Sequence, residues 1–313
     1  MNHARSVLQY LMLMLKGVLM GAADAVPGVS GGTVAFMTGI YEELIDSLRR
    51  FGPTAVKILF TKGPVAAWHY VNGNFLAVLI AGVLISILTL AHSVLFLLDT
   101  YPEMLWSFFF GLILASSWLV LTQIGEWNSK IMGSFVTGAL AAYAITSLAP
   151  ASVEPTMLTF FLSGMLAICA MILPGISGSF ILLLLGMYTP IMTAVTELNV
   201  VLLGLFAAGC GIGLLSFSHV LNWMFTRFHN LTLALLGGFL VGSLNKVWPW
   251  KYTISYTINR HGEQVPLVQD NVSPQSYQAL TGMEAYLWQG VVLALLGIAI
   301  VVVLAKVSEQ KAG

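Results

Sequence analysis

The sequence predicts an all-α polytopic membrane protein built from two inverted-topology repeats, each a re-entrant helical hairpin followed by three transmembrane helices. Three observations carry that expectation. The 313 residues are 58% hydrophobic and only 8% charged, with a mean hydropathy of +0.88, whereas soluble domains carry about 25% charged residues. A glycine-rich stretch, Ala25-Val26-Pro27-Gly28-Val29-Ser30-Gly31-Gly32-Thr33, interrupts apolar sequence and recurs 147 residues later as Ile172-Leu173-Pro174-Gly175-Ile176-Ser177-Gly178-Ser179-Phe180. Finally, each copy lies between the first two of five apolar segments, and five segments follow the same order in both halves.

The repeat is specific. From Pro27 to Tyr41, six of fifteen positions match their counterparts, and the shared residues are Pro, Gly, Ser, Gly, Gly and Tyr. Gly17 and Gly164 align upstream. These residue types set backbone shape or offer hydroxyls, so the matches concern loop geometry rather than general hydrophobicity.

In chain order, repeat one covers residues 7–149 and repeat two residues 157–306. The first segment, 7–23, contains Lys16. Arg5 and the apolar run after it have the outline of a signal peptide. That run leads straight into the repeated motif, whose second copy lies mid-chain, so it is read as a retained helix. The next segment, 33–48, is apolar only to Tyr41 and then carries Glu42, Glu43 and Asp46. About 13 residues at ~1.5 Å each reach roughly 20 Å, short of a ~30 Å hydrocarbon core. The first two segments therefore read as a hairpin that enters and leaves on one side, with the glycine loop at its tip. A basic linker (49–74) precedes three spans at 75–98, 104–124 and 131–149. In the second half, 157–173 and 180–195 flank the loop, and spans at 200–225, 231–247 and 284–306 follow.

Each half crosses an odd number of times, which inverts the second copy, as in secondary transporters with broken helices. With the N-terminus inside, Arg5, Arg49, Arg50, Lys57, Lys62, Lys130, Arg227, Lys306 and Lys311 fall on the cytoplasmic side, and only Lys246, Lys251 and Arg260 fall outside. Both termini are then cytoplasmic. The one long outer loop, 248–283, holds β-branched and aromatic residues from Lys251 to Ile258 and again from Gln264, which reads as a β-hairpin. Trp248, Trp250 and Tyr252 suit a membrane interface. Cys169 and Cys210 lie in apolar segments and read as buried thiols.

The repeated loop has a definite chemistry. Proline is tolerated at a helix start, and glycines leave backbone N–H groups uncovered. Ser30 and Thr33 add hydroxyls and suit a helix beginning near Gly31. Such an end favours an anion, phosphate above all. Two of them, facing each other across the repeats, would make an anion site within the membrane. Pro27, Gly28, Ser30, Gly31, Gly32 and Thr33, with Ser177, Gly178 and Ser179 opposite, are the candidate substrate-binding residues. Lys16 and Arg49 are candidates to assist. Glycine-rich segments also serve close helix packing; the duplication favours a substrate site. Asp24, three residues before Pro27, and the Glu42-Glu43 pair are the candidate proton carriers. Met171 replaces Asp24 in the second copy, so the first half reads as the chemical half. His69, His92 and His219 show no ligand spacing, and no metal, cofactor, nucleotide loop or nucleophile elbow is expected. Zero net charge argues against nucleic-acid binding.

Lys16-Gly17, Gly21, Asp24, Pro27 to Thr33, Gly39-Ile40-Tyr41-Glu42 and Leu44-Ile45 together resemble the signature of the DUF368 membrane family, and the length, segment plan and second loop fit across nearly the whole chain. The family is bacterial and archaeal and includes polyprenyl-phosphate transporters. The resemblance implies a flippase, not an enzyme, in the cytoplasmic membrane. Its substrate would be undecaprenyl phosphate, the lipid carrier of cell-envelope and peptidoglycan synthesis, returned from the outer to the inner leaflet. Membrane lipids are the other expected partners, and a homo-oligomer stays open. Moving an anion inwards costs about 2.3 kcal/mol per charge per 100 mV, which a co-transported proton would offset. The residues alone leave two other readings standing: a small inorganic anion channel or exchanger, and a membrane enzyme acting on lipid phosphates.

Overall fold

The computed structural model describes residues 5–24, 29–148, 151, 153–258 and 264–309. Pro27, Gly28, Arg260 and Lys311 lie outside the described residues. The first half runs α1 (Val7–Asp24), α2 (Gly31–Met37), α3 (Tyr41–Arg49), α4 (Pro53–Lys62), α5 (Pro64–Tyr70), α6 (Gly73–Thr89), α7 (Ala91–Thr100), α8 (Pro102–Thr122) and α9 (Ser129–Ser147). The second half runs α10 (Met157–Ile172), α11 (Gly178–Leu184), α12 (Tyr188–Thr196), α13 (Val200–Arg227) and α14 (His229–Ser243). After these come β1 (Lys251–Ile258), β2 (Gln264–Asn271), α15 (Pro274–Thr281) and α16 (Leu287–Glu309). Among the described residues, α1, α8 and α13 are long and apolar enough to cross a membrane singly. α10, α14 and residues 287–303 of α16 are apolar but shorter.

Three sequence segments are broken where a single helix was expected. The segment 33–48 divides into α2 and α3 because Gly39 takes a left-handed φ of +71°. The Gly39 amide bonds to Phe36 O (3.2 Å) and the Ile40 amide to Ala35 O (3.1 Å), a glycine-terminated helix end. The second copy ends α11 in the same way: Gly186 has φ +67°, with its amide on Leu183 O (3.0 Å) and the Met187 amide on Leu182 O (2.9 Å). There the chain turns through 108° between α11 and α12. The span expected at 75–98 is likewise divided, into α6 and α7 at Leu90. The basic linker is helical, as α4 and α5, with Phe60 and Val65 largely exposed. α5 meets α6 at 73°, through Asn72 in the left-handed region.

Packing in the two halves follows matched contacts. α1 lies on α6 and α10 on α13. A Cβ on Gly17 would run into Leu79 O, and one on Gly82 into Met14 O. At the corresponding positions, Gly164 faces Phe206 O and Gly209 faces Phe161 O. The later helices exchange partners: α8 packs on α16, and α9 on α14. Gly111 faces Ala294 O and Gly297 faces Phe108 O; correspondingly, Gly238 faces Phe135 O and Gly138 faces Leu235 O. Each crossing brings two backbones together where no side chain fits, the arrangement that small residues permit between apolar helices. Ser134 adds a hydroxyl bond to Leu231 O (2.8 Å) between α9 and α14.

β1 and β2 form the expected antiparallel hairpin, with Lys251 opposite Asn271 and Thr257 opposite Val265. Trp248 and Trp250 do not face outward through their indole N–H groups. These bond to Val272 O (2.9 Å) and Ala285 O (2.7 Å) and fasten the hairpin to the helical body. Tyr277 of α15 donates its hydroxyl to Glu103 Oε1 at the start of α8, and both residues are buried. Burial, and then this bond to the carboxylate, push the Tyr277 pKa up. Tyr277→Phe would leave a buried carboxylate short of a donor, at a cost of about 1–3 kcal/mol. A lower midpoint of thermal unfolding in detergent is expected, with partial recovery in Glu103→Gln/Tyr277→Phe. An unchanged midpoint in Tyr277→Phe would show that the bond does not support the fold.

Candidate functional site

The two glycine loops meet. Ser30, in extended backbone (φ −123°), caps α2, its Oγ accepting from the Gly32 amide (3.1 Å). The same hydroxyl donates across the molecule to Met171 O (3.1 Å). The Gly175 amide of the second loop donates to Thr33 Oγ1 (2.9 Å). Ser30 and Thr33 are almost wholly buried, at 1% and 0% exposure. Gly32 faces the second loop's approach, where an added Cβ would lie 2.8 Å from Ile172 O and 2.9 Å from Met171 O. Only glycine allows the backbones this close. Gly175 itself has a φ of +91°, with the Ser243 hydroxyl beside its Cα.

The amides of the first turn of α2 are occupied rather than bare. The Gly31 N–H donates to Asp24 Oδ1 (2.7 Å), the Gly32 N–H to Ser30 Oγ, and the Thr33 N–H to Ser30 O (2.9 Å). Asp24, the last residue of α1, thus supplies an anion to the start of α2 from within the protein, which is electrostatically favourable there. Ser177 and Ser179 share a hydrogen bond (2.8 Å), and Gly178 packs on Ala167.

The other candidates disperse. Lys16 Nζ donates to Thr38 O (2.7 Å) at the end of α2, which ties α1 to the far side of the broken segment. Glu43 pairs with Arg5 (2.5 Å) and accepts from Asn72 Nδ2 (2.9 Å). Glu42 is exposed, 3.8 Å from His229 Nδ1. Arg49 and Arg50 both pair with Asp46, and Arg50 also donates to Tyr70 O (3.0 Å). The structure therefore brings Asp24, Ser30, Gly31, Gly32 and Thr33 together with the second loop, but places Arg49, Glu42 and Glu43 apart from it on α3, with Arg49 and Glu43 in separate ion pairs.

Two buried hydroxyls near this region are not among the site residues expected from sequence. Tyr41 is 2% exposed, packed edge-on to Phe36 (centroids 4.9 Å) and Phe225 (6.0 Å), and its hydroxyl has no partner among the described residues. Ser86 on α6 has none either. The repetition of Tyr41 as Tyr188 was the available signal, because a tyrosine shared by both copies marks more than apolar bulk.

The comparisons with known proteins agree with one another. The model of the VCA0040-like family, described as undecaprenyl phosphate translocase-like, matches residues 20–265. A polyprenyl-phosphate transporter of Vibrio cholerae is 48% identical over 307 residues, which cover 98% of this chain and 100% of that protein. A polyprenyl-phosphate transporter of Staphylococcus aureus is 34% identical over 262 residues, 75% of this chain and 85% of that one. No solved structure matches. Both relatives carry the names of transporters, neither that of an enzyme. With a family match over most of its length and the two loops of that match in contact, this chain belongs to the undecaprenyl phosphate translocase-like family.

Proposed function

We propose that this protein moves undecaprenyl phosphate from the outer to the inner leaflet of the bacterial cytoplasmic membrane, coupled to protons. The observation that carries the reading is the contact between the loops: Ser30 on Met171 O and Thr33 on the Gly175 amide. This contact joins the two repeats at their polar breaks, and its opening would give a charged head group a path while the tail stays in lipid. A free phosphate in hydrocarbon would face a prohibitive barrier. The names of the relatives support the substrate.

In this reading the halves are inverted repeats, and α2–α3 and α11–α12 are the re-entrant hairpins. The matched glycine contacts and matched helix ends support that assignment. Both termini lie on the cytoplasmic side and the β-hairpin lies outside. Asp24 holds the Gly31 amide as a carboxylate. On protonation it yields that amide to the phosphate, so that one proton travels with each head group. Ser30, Gly31, Gly32 and Thr33 then bind the phosphate, with Ser177 to Ser179 opposite. Lys16, by holding Thr38 O, positions the hairpin.

The test is reconstitution. Purified protein in vesicles with undecaprenyl phosphate should transfer it between leaflets, and Ser30→Ala/Thr33→Ala should lose most of that activity while still inserting and purifying, with a lower unfolding midpoint from the loop groups left unpaired. Chloride or inorganic phosphate flux without lipid transfer would leave the small-anion reading in its place.

A further inference from the structure

The face that carries the β-hairpin holds two joined cavities that the central loops do not account for. The turn after α14 folds Asn245 and Lys246 back against the hairpin, where Asn271 Nδ2 donates to Asn245 O (2.8 Å). Lys251 Nζ donates to Lys246 O (2.6 Å) and lies 3.8 Å from the centre of the Trp106 ring. Lys246 Nζ lies 4.5 Å from the centre of the Phe180 ring. Both lysines border one polar cavity of about 490 Å³, whose wall includes Asn245, Gln269, Asp270 and Asn271. Among the described residues, neither ammonium has a carboxylate within ion-pair distance, although Asp270 shares the wall. Burial lowers the pKa of Lys246. Burial and then the neighbouring Lys246 charge pull that of Lys251 well below the usual lysine value.

Adjacent cations without a counter-charge are costly in a partly desolvated wall, and an anion between them relieves both. A phosphate monoester suits two cations, since it carries about −1.5 to −2 charge near neutrality. The second cavity, of about 690 Å³, shares Tyr143, Asn245, Asn271 and Val272 with the first, and its remaining wall is mostly apolar, including Phe110, Leu140, Val241 and Trp248. Leu140 and Tyr143 point outward from α9, at 64% and 55% exposure, so this half opens on the lateral surface between α9 and α14. Cationic-polar on one side and apolar on the other, the pair has the polarity of a lipid phosphate.

We propose that these cavities dock a polyprenyl phosphate before it reaches the central loops, with the phosphate between Lys246 and Lys251 and the first isoprenoid units along Leu140, Val241 and Trp248. The proposal rests on the substrate reading above. It adds a second site for that substrate, and Phe180 links the two, because it contacts Lys246 and lies on α11 directly after Ser179.

Farnesyl phosphate, a soluble short-chain probe, tests the site by titration of tryptophan fluorescence in detergent, since Trp248 lines the apolar cavity and Trp106 lies against Lys251. Saturable binding is expected. Lys246→Gln/Lys251→Gln should weaken it by roughly tenfold or more, the scale for loss of a desolvated charge pair, while Lys246→Arg/Lys251→Arg keeps most of it. Leu140→Glu, on an exposed helix face, should weaken farnesyl phosphate but leave inorganic phosphate unaffected. Inorganic phosphate that binds as tightly as farnesyl phosphate would overturn the lipid assignment in favour of a free-phosphate site. Farnesol that binds as tightly would overturn the role of the lysines. Unchanged affinity in the glutamine variant, in protein that still transports undecaprenyl phosphate, would overturn this site alone. Absence of transport by the parent protein would instead overturn the substrate reading.

Discussion

Gly32→Val is expected to abolish undecaprenyl phosphate transport in reconstituted vesicles while the protein still inserts and purifies. A Cβ at this position would lie 2.8 Å from Ile172 O and 2.9 Å from Met171 O. Both obstacles are backbone, so no side-chain rotation makes room, and the two further methyl carbons of valine widen the conflict. Over-packing of this kind costs about 1–3 kcal/mol. The parting loops would also strain the Ser30–Met171 and Thr33–Gly175 bonds, whose buried groups cost about 1–3 kcal/mol each when unpaired. Gly32→Ala should fall between parent and valine. Full transport by Gly32→Val, with thermal unfolding unchanged, would mean that the loops need not touch for the protein to work.

Asp24→Asn is the second large expected effect, and it separates charge from capping. Asparagine keeps an oxygen able to accept from the Gly31 amide, which Asp24 now holds at 2.7 Å, so folding should be preserved. It can neither carry the negative charge nor release a proton. Inward transport should fall steeply and lose its response to an imposed pH gradient. The size follows from the electrical work: about 2.3 kcal/mol per charge at 100 mV is a factor of roughly 50 in the accumulation ratio when no proton compensates. Asp24→Ala should lose the cap as well and unfold at lower temperature than Asp24→Asn. A normal pH-gradient response in Asp24→Asn would remove this residue as the proton carrier and turn attention to Glu43, and then Glu42.

The loops were legible in the sequence because a Pro-Gly-x-Ser-Gly run disrupts a helix locally, and the 147-residue shift between Pro27 and Pro174 showed that the run occurs twice. The start of α2 at Gly31 and the hairpin from Lys251 followed from capping and β-propensity in the same local way. What was not legible depends on partners far along the chain. Gly111 and Gly297 read as ordinary small residues until their helices cross. Nothing local marks Glu103 as buried, since Tyr277, its donor, is 174 residues away. Lys246 and Lys251 read only as exceptions to the charge rule, because the turn that joins them leaves no mark in hydropathy. The amides of α2 read as open to a ligand, because nothing local shows that Asp24 folds back onto Gly31.

The exchanged partners of the later helices set the order in which the molecule can be made. α9 is complete at residue 147, but its partner α14 ends at 243, and α8 waits for α16, the last helix of all. At about 5–20 residues per second, α9 spends on the order of ten seconds with its glycine face uncovered. An N-terminal half released alone would keep two such faces open, at Gly111 and Gly138, and has no way to close them on itself. Chains that stop short of α16 are thus unfinished in both halves at once and remain open to membrane quality control, while the two halves made as separate chains in one cell should find each other through the same glycine crossings.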